Sequence, residues 1–290
     1  MRMQLSTGSA ILKPGPLLLA VFLACVDAAP ELPLEPVRPL AAAAGIPTVV
    51  VNSLLDDVVP GEPGAPLCSL AKCTFRMALA EAQDGGKITF SENLCAAALS
   101  CEIFTGGLEI GRLTTNPVPF TVVINGPSAF SLTIRGPLPN TTVSPVLNVL
   151  PLATATIRNL TITGGSNYGS GALGGGIDNS GNLVLENVVV TGNYSDRSAG
   201  GIQNSGILEL RNSSVTNNVS SSAGAITNDR GEVTLINTTV SGNVANPPGT
   251  GGGYYGSVGT LLTLLKKSCI SGNTPANIVN DGTTIGSNCP

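Results

Sequence analysis

Hydrophobic and polar residues alternate along the second half of the chain in a pattern that occurs five times. In each copy, a run with apolar residues at every second position meets an Asn or a Lys and continues into a second short run. The copies contain ATIRNLTITGG, NLVLENVVVTGN, ILELRNSSVTNN, EVTLINTTVSGN and LTLLKKSCISGN. Alternation with a period of two residues predicts β-strands, and this region shows no helical periodicity.

The copies recur at a nearly constant interval, each closed by a glycine. The closing glycines are Gly181, Gly206, Gly231, Gly259 and Gly282. Their spacings of 25, 25, 28 and 23 residues are typical of stacked supersecondary units rather than of a globular core. The clear repeats at 153–282 therefore predict an all-β fold, a single-stranded right-handed parallel β-helix in which each repeat forms one rung of short strands.

Stacking would align equivalent residues of successive rungs into rows along the axis. Two rows are apolar and are predicted to face the interior. They are Ile162, Val190, Val215, Val240 and Ile270, and Ile177, Ile202, Ile226, Tyr254 and Ile278. Two further rows consist of Asn, which tolerates a left-handed backbone and can bond to the same amide one rung away, so we interpret them as structural. They are Asn159, Asn187, Asn212 and Asn237 with Lys267 in the last rung, and Asn179, Asn204, Asn228 and Asn280, interrupted at Gly256.

One segment near the N-terminus departs from the β pattern. In CTFRMALAEAQDGG (73–86) apolar residues recur at helical spacing, with Thr74 placed to cap the helix and Gly85 placed to end it. A β-helix ends in an apolar cross-section with unpaired strand edges. We therefore predict that this short α-helix caps the N-terminal end of the β-helix.

The segment CSLAKCTFRMALAEAQDGGKITF (68–90) also resembles the signature of the CSLREA-domain proteins, exported bacterial β-helix proteins of pectin-lyase-like architecture. In that signature a Cys-Ser/Thr-Leu-Arg-Glu-Ala helix precedes a Gly and an Ile-Thr-Phe strand. The matching residues are Cys73, Thr74, Arg76 and Ala78. Phe75 replaces the family's Leu, and Met77 replaces its Glu. The resemblance covers about residues 47–282 and implies the fold, whereas it implies little about function.

The N-terminus has the pattern of an export signal. Arg2 and Lys13 precede the apolar run LLLAVFLAC (17–25), which small residues follow. This run is too short to span a bilayer, so it predicts a cleaved signal peptide over residues 1–28 and a secreted, extracellular or cell-surface protein. Lipid attachment at Cys25 is the alternative to plain cleavage.

Two further regions follow the predicted signal peptide. Residues 29–46 are rich in Pro and Ala and predict a linker, and residues 47–290 form the predicted β-helix domain. No second long apolar run is present, so we expect no membrane span. The formal net charge of −4 with 11% charged residues and no basic cluster argues against nucleic acid as a partner. We expect a monomer.

Six cysteines remain after the predicted cleavage, and an even number in an exported chain favours disulfides. Six cysteines allow 15 connectivities, of which pairing between neighbours is the simplest. Those pairs are Cys68–Cys73, Cys95–Cys101 and Cys269–Cys289. Zinc binding is the alternative, but the chain has no His and no paired CxxC spacing. We therefore predict no metal site and no cofactor.

Polysaccharide lyases and hydrolases are the best-known enzymes on this fold, so catalysis is one hypothesis. Glycosidases need two carboxylates at a defined separation, and lyases need a base with a nearby cation or Ca²⁺. If the chain is an enzyme, the candidate catalytic residues are Asp178, Glu186 and Asp196, and Ca²⁺ is conceivable only for a lyase. Glu186 falls between Arg158 and Arg211 in one column, which we interpret as a surface ion-pair ladder. Because no aspartate cluster is evident, we assign no catalytic residue outside this alternative.

Binding is the preferred hypothesis, because all four tyrosines fall in or beside one set of connections. If the rungs stack in register, these loops project from one side, and aromatic faces beside polar groups suit the stacking of sugars. The candidate binding residues are Tyr168, Tyr194, Asp196, Arg197 and Tyr255. Alternatively, Tyr254 is a core residue and the other tyrosines occupy loops singly. The predicted function is a surface or adhesion-type module that presents side loops to glycans or extracellular proteins.

A column of hydroxyl side chains resembles the flat face of ice-binding solenoids. It contains Thr163, Thr191, Thr216, Ser241 and Ser271. Exposed strands generally favour Thr and Ser, so we interpret the column as an ordinary strand surface.

Overall fold

The computed structural model describes residues 46–56, 68–69, 71–95, 101–112, 118–127, 132–136, 144–168, 174–246 and 251–289. They belong to one compact unit that begins at Ala44. The predicted signal peptide, and the predicted linker except its last residue, lie outside the described residues.

The described part contains one helix and a series of short strands. Its first elements are β1 Thr48–Val51, α1 Phe75–Glu81, β2 Gly86–Phe90, β3 Cys101–Phe104, β4 Leu108–Ile110, β5 Phe120–Asn125, β6 Leu132–Arg135, β7 Leu147–Val149, β8 Ala153–Arg158, β9 Thr161–Thr163, β10 Ser166–Asn167, β11 Ile177–Asn179, β12 Asn182–Glu186, β13 Val189–Thr191 and β14 Tyr194–Ser195. The remaining strands are β15 Ile202–Asn204, β16 Ile207–Arg211, β17 Ser214–Thr216, β18 Val219–Ser220, β19 Ile226–Asn228, β20 Glu232–Ile236, β21 Thr239–Ser241, β22 Val244–Ala245, β23 Tyr254–Gly256, β24 Leu261–Leu265, β25 Cys269–Ser271, β26 Ile278–Asn280 and β27 Thr283–Ile285.

These strands form four parallel sheets around a common interior. Sheet A has nine strands, in the order β1-β2-β5-β8-β12-β16-β20-β24-β27. Sheet B (β3-β6-β9-β13-β17-β21-β25) and sheet C (β4-β7-β11-β15-β19-β23-β26) have seven strands each, and sheet D (β10-β14-β18-β22) has four. The chain visits the sheets in the order A, B, D, C in each central rung. This confirms the predicted right-handed parallel β-helix.

Strand pairing confirms both predicted apolar rows. Val215 on β17 pairs with Val190 on β13 and with Val240 on β21, and all three side chains are fully buried. Tyr254 on β23 lies between Ile226 and Ile278 in the second row. Every member of the two rows is fully buried except Ile278 in the last rung, which is partly buried against the core. The period-two pattern thus describes alternation between the interior and the surface.

The two predicted Asn rows contain ladders of side-chain hydrogen bonds, except that Asn280 in the last rung donates to Thr284 Oγ1 at 2.7 Å instead. In the outer ladder the left-handed φ angles run from 48° at Asn212 to 58° at Asn159, and Asn237 Nδ2 donates to Asn212 Oδ1 at 2.9 Å. In the buried ladder Asn204 Nδ2 donates to Asn228 Oδ1 at 2.9 Å. The next position of this row is Gly256, which has no side chain. Asn228 Nδ2 donates instead to the Tyr254 hydroxyl at 3.1 Å, so the tyrosine continues the ladder.

In the repeat that begins after Gly231, two of the alignments made from the sequence are wrong by one residue. Because Glu232 pairs with Leu261 and Ile236 with Leu265, Lys266 rather than Lys267 follows the outer Asn row, and it has a φ of 56°. The same register aligns Thr260, not Gly259, with the closing glycines. A side chain on those glycines would collide with the preceding rung, since a Cβ on Gly231 would overlap the Gly206 carbonyl oxygen.

A third Asn ladder was missed by the sequence analysis, although it is fully internal. Asn193, Asn218 and Asn243 each donate from Nδ2 to Oδ1 of the next member, at 2.9, 3.0 and 2.8 Å, and the last acceptor is Asn273. Each of these residues follows a left-handed Gly or Asn, at positions 192, 217, 242 and 272. A recurrent Gly/Asn-Asn pair in the sequence was the signal that could have identified it.

Helix α1 begins as predicted and packs against β1 and β4. Thr74 caps its N-terminus, because its hydroxyl accepts a hydrogen bond from the Met77 amide at 3.2 Å. The Phe75 ring packs against the Phe90 ring with centroids 5.4 Å apart. The apolar face of the helix is therefore joined to the first rung.

Arg76 fastens this helix to the loop between β3 and β4. Its guanidinium forms an ion pair with Asp56 at 2.8 Å and donates to the Gly106 carbonyl at 2.7 Å. Thr105 Oγ1 donates to Asp56 Oδ2 at 2.6 Å. The Asp56 side chain is only 9% exposed, so these partners replace the water that a surface carboxylate would contact. Arg76 is one of the residues that match the CSLREA signature, and its contacts are structural.

Replacing Arg76 by Met is expected to lower the free energy of unfolding by about 2–3 kcal/mol, because Asp56 would keep a buried charge with one hydroxyl partner. The control is Arg135→Met, whose ion pair with Glu102 at 3.6 Å is partly exposed and should contribute below about 1 kcal/mol. Urea denaturation followed by circular dichroism measures both. Equal losses in the two variants would contradict the role of Arg76 in holding the helix to the loop between β3 and β4.

The predicted disulfide pairing is confirmed for all six cysteines of the described part. The bonds are Cys68–Cys73, Cys95–Cys101 and Cys269–Cys289. Beside the last bond, the Asn288 side chain pairs with the backbone of Ile270 in the way that a further strand would. Ile270 N donates to Asn288 Oδ1 at 2.7 Å, and Asn288 Nδ2 donates to Ile270 O at 2.8 Å. The final strand of sheet B is therefore covered at its free edge. No helix in the described part is long and apolar enough to span a membrane.

Candidate binding site

Sheet D carries the site, and its strands are only two residues long. Parallel pairing aligns Ser166, Tyr194, Val219 and Val244 in one row. Tyr168 directly follows β10, and its ring contacts the ring of Tyr194. The sheet thereby brings together two tyrosines from successive rungs that are 26 positions apart in the sequence.

Tyr168 and Tyr194 form an aromatic pair. Their ring centroids are 4.8 Å apart and their planes are tilted by 31°, a centroid distance within the range of favourable aromatic contacts. Tyr168 is 39% exposed, and Tyr194 is half-buried. Burial raises the pKa of Tyr194, and the Tyr168 phenol and the Asp196 carboxyl raise it further. Tyr194 is therefore a neutral hydrogen-bonding group at physiological pH.

The loop that follows Tyr194 is held by hydrogen bonds to neighbouring rungs. The Asp196 amide donates to the Asn167 carbonyl at 3.0 Å, and the Ser221 hydroxyl donates to the Asp196 carbonyl. Ser195 Oγ accepts from the Arg197 amide at 3.2 Å. Asp196 is half-buried and Arg197 is exposed. Four of the five predicted binding residues therefore lie together: the tyrosine pair and the two charged residues after it.

Tyr255, the fifth predicted binding residue, lies in a different sheet. On β23 of sheet C it pairs with Thr227 and Val279, and it is half-buried. The neighbouring Tyr254 is fully buried at the Ile position, as the alternative interpretation predicted. Burial raises the pKa of Tyr254, against the opposing effect of hydrogen bonds with Asn228 and Thr260. The four tyrosines are thus one surface pair, one core residue and one residue on another face.

The three candidate catalytic carboxylates are not brought together. Asp178 lies on β11 of sheet C, Glu186 on β12 of sheet A, and Asp196 follows β14 of sheet D. Within the described residues, no group of three or more His, Cys, Asp or Glu side chains could hold a metal ion. No two of these three residues share a sheet.

The predicted Arg-Glu-Arg column has the expected register but a different pairing. Glu186 lies between Arg158 and Arg211 on adjacent strands. It forms an ion pair with Arg158 at 2.8 Å, whereas Arg211 bonds to Glu209 on its own strand. Both ion pairs are partly exposed, so they contribute little to stability.

The hydroxyl column lies on sheet B, as its register predicted. Thr163, Thr191 and Thr216 pair in sequence on β9, β13 and β17, and Thr216 Oγ1 donates to Thr191 Oγ1 at 3.2 Å. In the neighbouring row of sheet B, Val189 lies between the hydroxyl residues Thr161 and Ser214.

A cavity of about 230 Å³ lies between α1 and the β4 region. Two arginines line it, but both are bound to the protein. Arg76 bonds to Asp56, and Arg112 Nη1 donates to the Ala80 carbonyl at 3.1 Å near the end of the helix. The two arginines therefore hold the helix to the β-helix and are not free cations for a ligand in the cavity.

The tyrosine pair and its adjoining loop bring together four of the predicted binding residues and are the candidate site of the described part. No protein-family model, no curated protein and no solved structure matches this chain.

Proposed function

We propose that this protein is an exported extracellular binding module that uses the Tyr168–Tyr194 pair to hold glycans. The observation that carries the proposal is the contact of two tyrosine rings, with centroids 4.8 Å apart, on the surface of a rigid solenoid. Aromatic faces bind the apolar faces of sugars, and adjacent polar groups orient the hydroxyls. Asp196 and Arg197 supply such groups beside the pair. A partner protein is the alternative ligand of the same surface.

The scaffold supports binding because it presets the geometry of the site. Tyr194 is fixed by strand pairing on both sides, to Ser166 and to Val219. A ligand therefore meets rings that are already oriented, which reduces the entropy lost on association. The opposite charges of Asp196 and Arg197 leave the site without a strong field of one sign, which favours neutral over highly charged ligands.

Export is part of the proposal, and two observations support it. The N-terminal apolar run with its small residues is typical of a signal peptide, and the three disulfides are typical of an oxidising compartment. The resemblance to the CSLREA-domain proteins points the same way. We propose a surface or adhesion-type role on these grounds.

A polysaccharide lyase or hydrolase is the alternative function on this fold. It would need carboxylates that reach the same sugar. Asp178, Glu186 and Asp196 belong to three different sheets, and no specific observation favours this alternative over binding.

Retention on immobilised glycans tests the proposed site. The double variant Tyr168→Ala/Tyr194→Ala is expected to lose roughly five- to 140-fold in affinity, because the two rings together supply about 1–3 kcal/mol of aromatic contact and each 1.4 kcal/mol is a factor of ten. The melting temperature should change by only a few degrees, about the effect of 1 kcal/mol in a domain of this size. Tyr255→Ala, on sheet C, is the matched control and should bind like the wild type. Retention of the double variant at the wild-type level would contradict the site.

A further inference from the structure

Tyrosine is the readily oxidised side chain that reaches the surface in the described part of the chain. The protein has no Trp and no His. The six described cysteines are in disulfides, and Met77, the one Met among the described residues, is 9% exposed. A diffusing oxidant that reaches the protein outside the cell therefore finds its accessible target in tyrosine.

The four tyrosines differ in access and in neighbours. Tyr254 is fully buried, and Tyr255 lies on sheet C, where the paired positions are Thr227 and Val279. Tyr168 is 39% exposed and its ring lies against that of Tyr194, with centroids 4.8 Å apart and planes 31° apart. Among the described residues, only this pair places two phenol rings in contact. Strand pairing holds Tyr194 in position, so the contact is built into the register of the rungs.

We propose that Tyr168 and Tyr194 are a site of oxidative cross-linking, at which a peroxidase with hydrogen peroxide couples the two rings into a dityrosine. This inference concerns covalent chemistry and does not depend on glycan binding. The geometry carries it, because two rings that are already in contact can couple without a diffusional encounter.

The chemistry balances with one peroxide for each cross-link. Each phenol first loses one electron and its hydroxyl proton, which gives two tyrosyl radicals. A carbon–carbon bond then forms between the ring carbons ortho to the two oxygens. The hydrogens on those carbons leave as protons, and the two phenol O–H bonds are remade from solvent. The two electrons and two protons released overall convert one hydrogen peroxide to two waters.

The cross-link would join successive rungs at the edge of the side loops. It closes a covalent loop between positions 168 and 194, and such a closure limits the conformations of the unfolded chain in the way that a disulfide does. Unlike the three disulfides, a carbon–carbon bond is not cleaved by thiols. The oxidised protein should therefore melt at a higher temperature than the untreated protein.

The test treats the dilute purified full chain with a haem peroxidase and hydrogen peroxide. We expect dityrosine fluorescence, and a cross-linked peptide pair containing Tyr168 and Tyr194 whose mass is lower by two hydrogens. Tyr168→Phe and Tyr194→Phe keep the rings and the packing, and each should abolish the product, whereas Tyr255→Phe should retain it. Circular dichroism confirms that the variants are folded.

Three results would overturn the inference. They are the absence of the peptide pair in the wild type, an undiminished yield in Tyr168→Phe, and coupling confined to covalent dimers. Dilution of the protein distinguishes the last case, because coupling between molecules falls with concentration and coupling within one molecule does not.

Discussion

The variant Val215→Asp is expected not to fold. Val215 is fully buried between Val190 and Val240 in the first apolar row. A carboxylate there would have no partner among these apolar neighbours, and an unpaired buried charge costs several kcal/mol, comparable with the roughly 5–15 kcal/mol that stabilises a domain. Circular dichroism and yield of soluble protein measure the outcome.

The matched control for this experiment is the next residue. Thr216 is half-buried and points to the outer face of sheet B, where it donates to Thr191 at 3.2 Å. Thr216→Asp should fold, with a loss of about 1 kcal/mol for the missing hydroxyl contact. Equal damage from both substitutions would show that the assignment of interior and surface is wrong.

The second large effect is expected for Asn218→Leu, in the internal Asn ladder. Asn218 Oδ1 accepts from Asn193 Nδ2 at 2.9 Å and from the Asn193 amide at 3.0 Å. Its Nδ2 donates to Asn243 Oδ1 and to the Val190 carbonyl, both at 3.0 Å. Leu would leave several buried polar groups without partners. Since each such group costs about 1–3 kcal/mol, the free energy of unfolding should fall by roughly 3–5 kcal/mol.

Asn212→Ala in the outer ladder provides the comparison for the internal one. Asn212 is exposed, and its Oδ1 accepts one side-chain hydrogen bond from Asn237. The main loss of stability arises because Ala adopts a left-handed φ of 48° less readily than Asn does, a difference of about 1–2 kcal/mol. Urea denaturation compares the two variants. A cost for Asn218→Leu no greater than that for Asn212→Ala would contradict the structural role of the internal ladder.

The sequence predicted the fold because the same physical constraint acts on every rung. Alternating Leu and Val residues can bury their side chains only if they stack on their equivalents in the next rung, so the interval of 25 residues also specified the register. Where the interval changed, the alignment by glycines failed by one residue, at Thr260 and Lys266. Strand pairing between Glu232 and Leu261 determines the register there, and the positions of the glycines in the sequence do not reveal this pairing.

The candidate site was predicted only in part, for a related reason. The strands of sheet D have two residues each, too few to show alternation, so the sequence did not reveal that the rings of Tyr168 and Tyr194 are in contact. Tyr255 was grouped with them because it lies near an equivalent connection in the sequence. Its strand belongs to sheet C, since Tyr255 pairs with Thr227 rather than with a residue of sheet D.

The most direct test of the proposed function is to incubate the purified protein with a panel of neutral and acidic insoluble polysaccharides, with and without Ca²⁺. Depletion of the protein from solution measures binding, and mass spectrometry of the soluble fraction detects released oligosaccharides. We predict depletion by at least one neutral glycan, without Ca²⁺ and without released fragments. Released fragments would identify an enzyme, and a protein that stays in solution with every polysaccharide would contradict glycan binding.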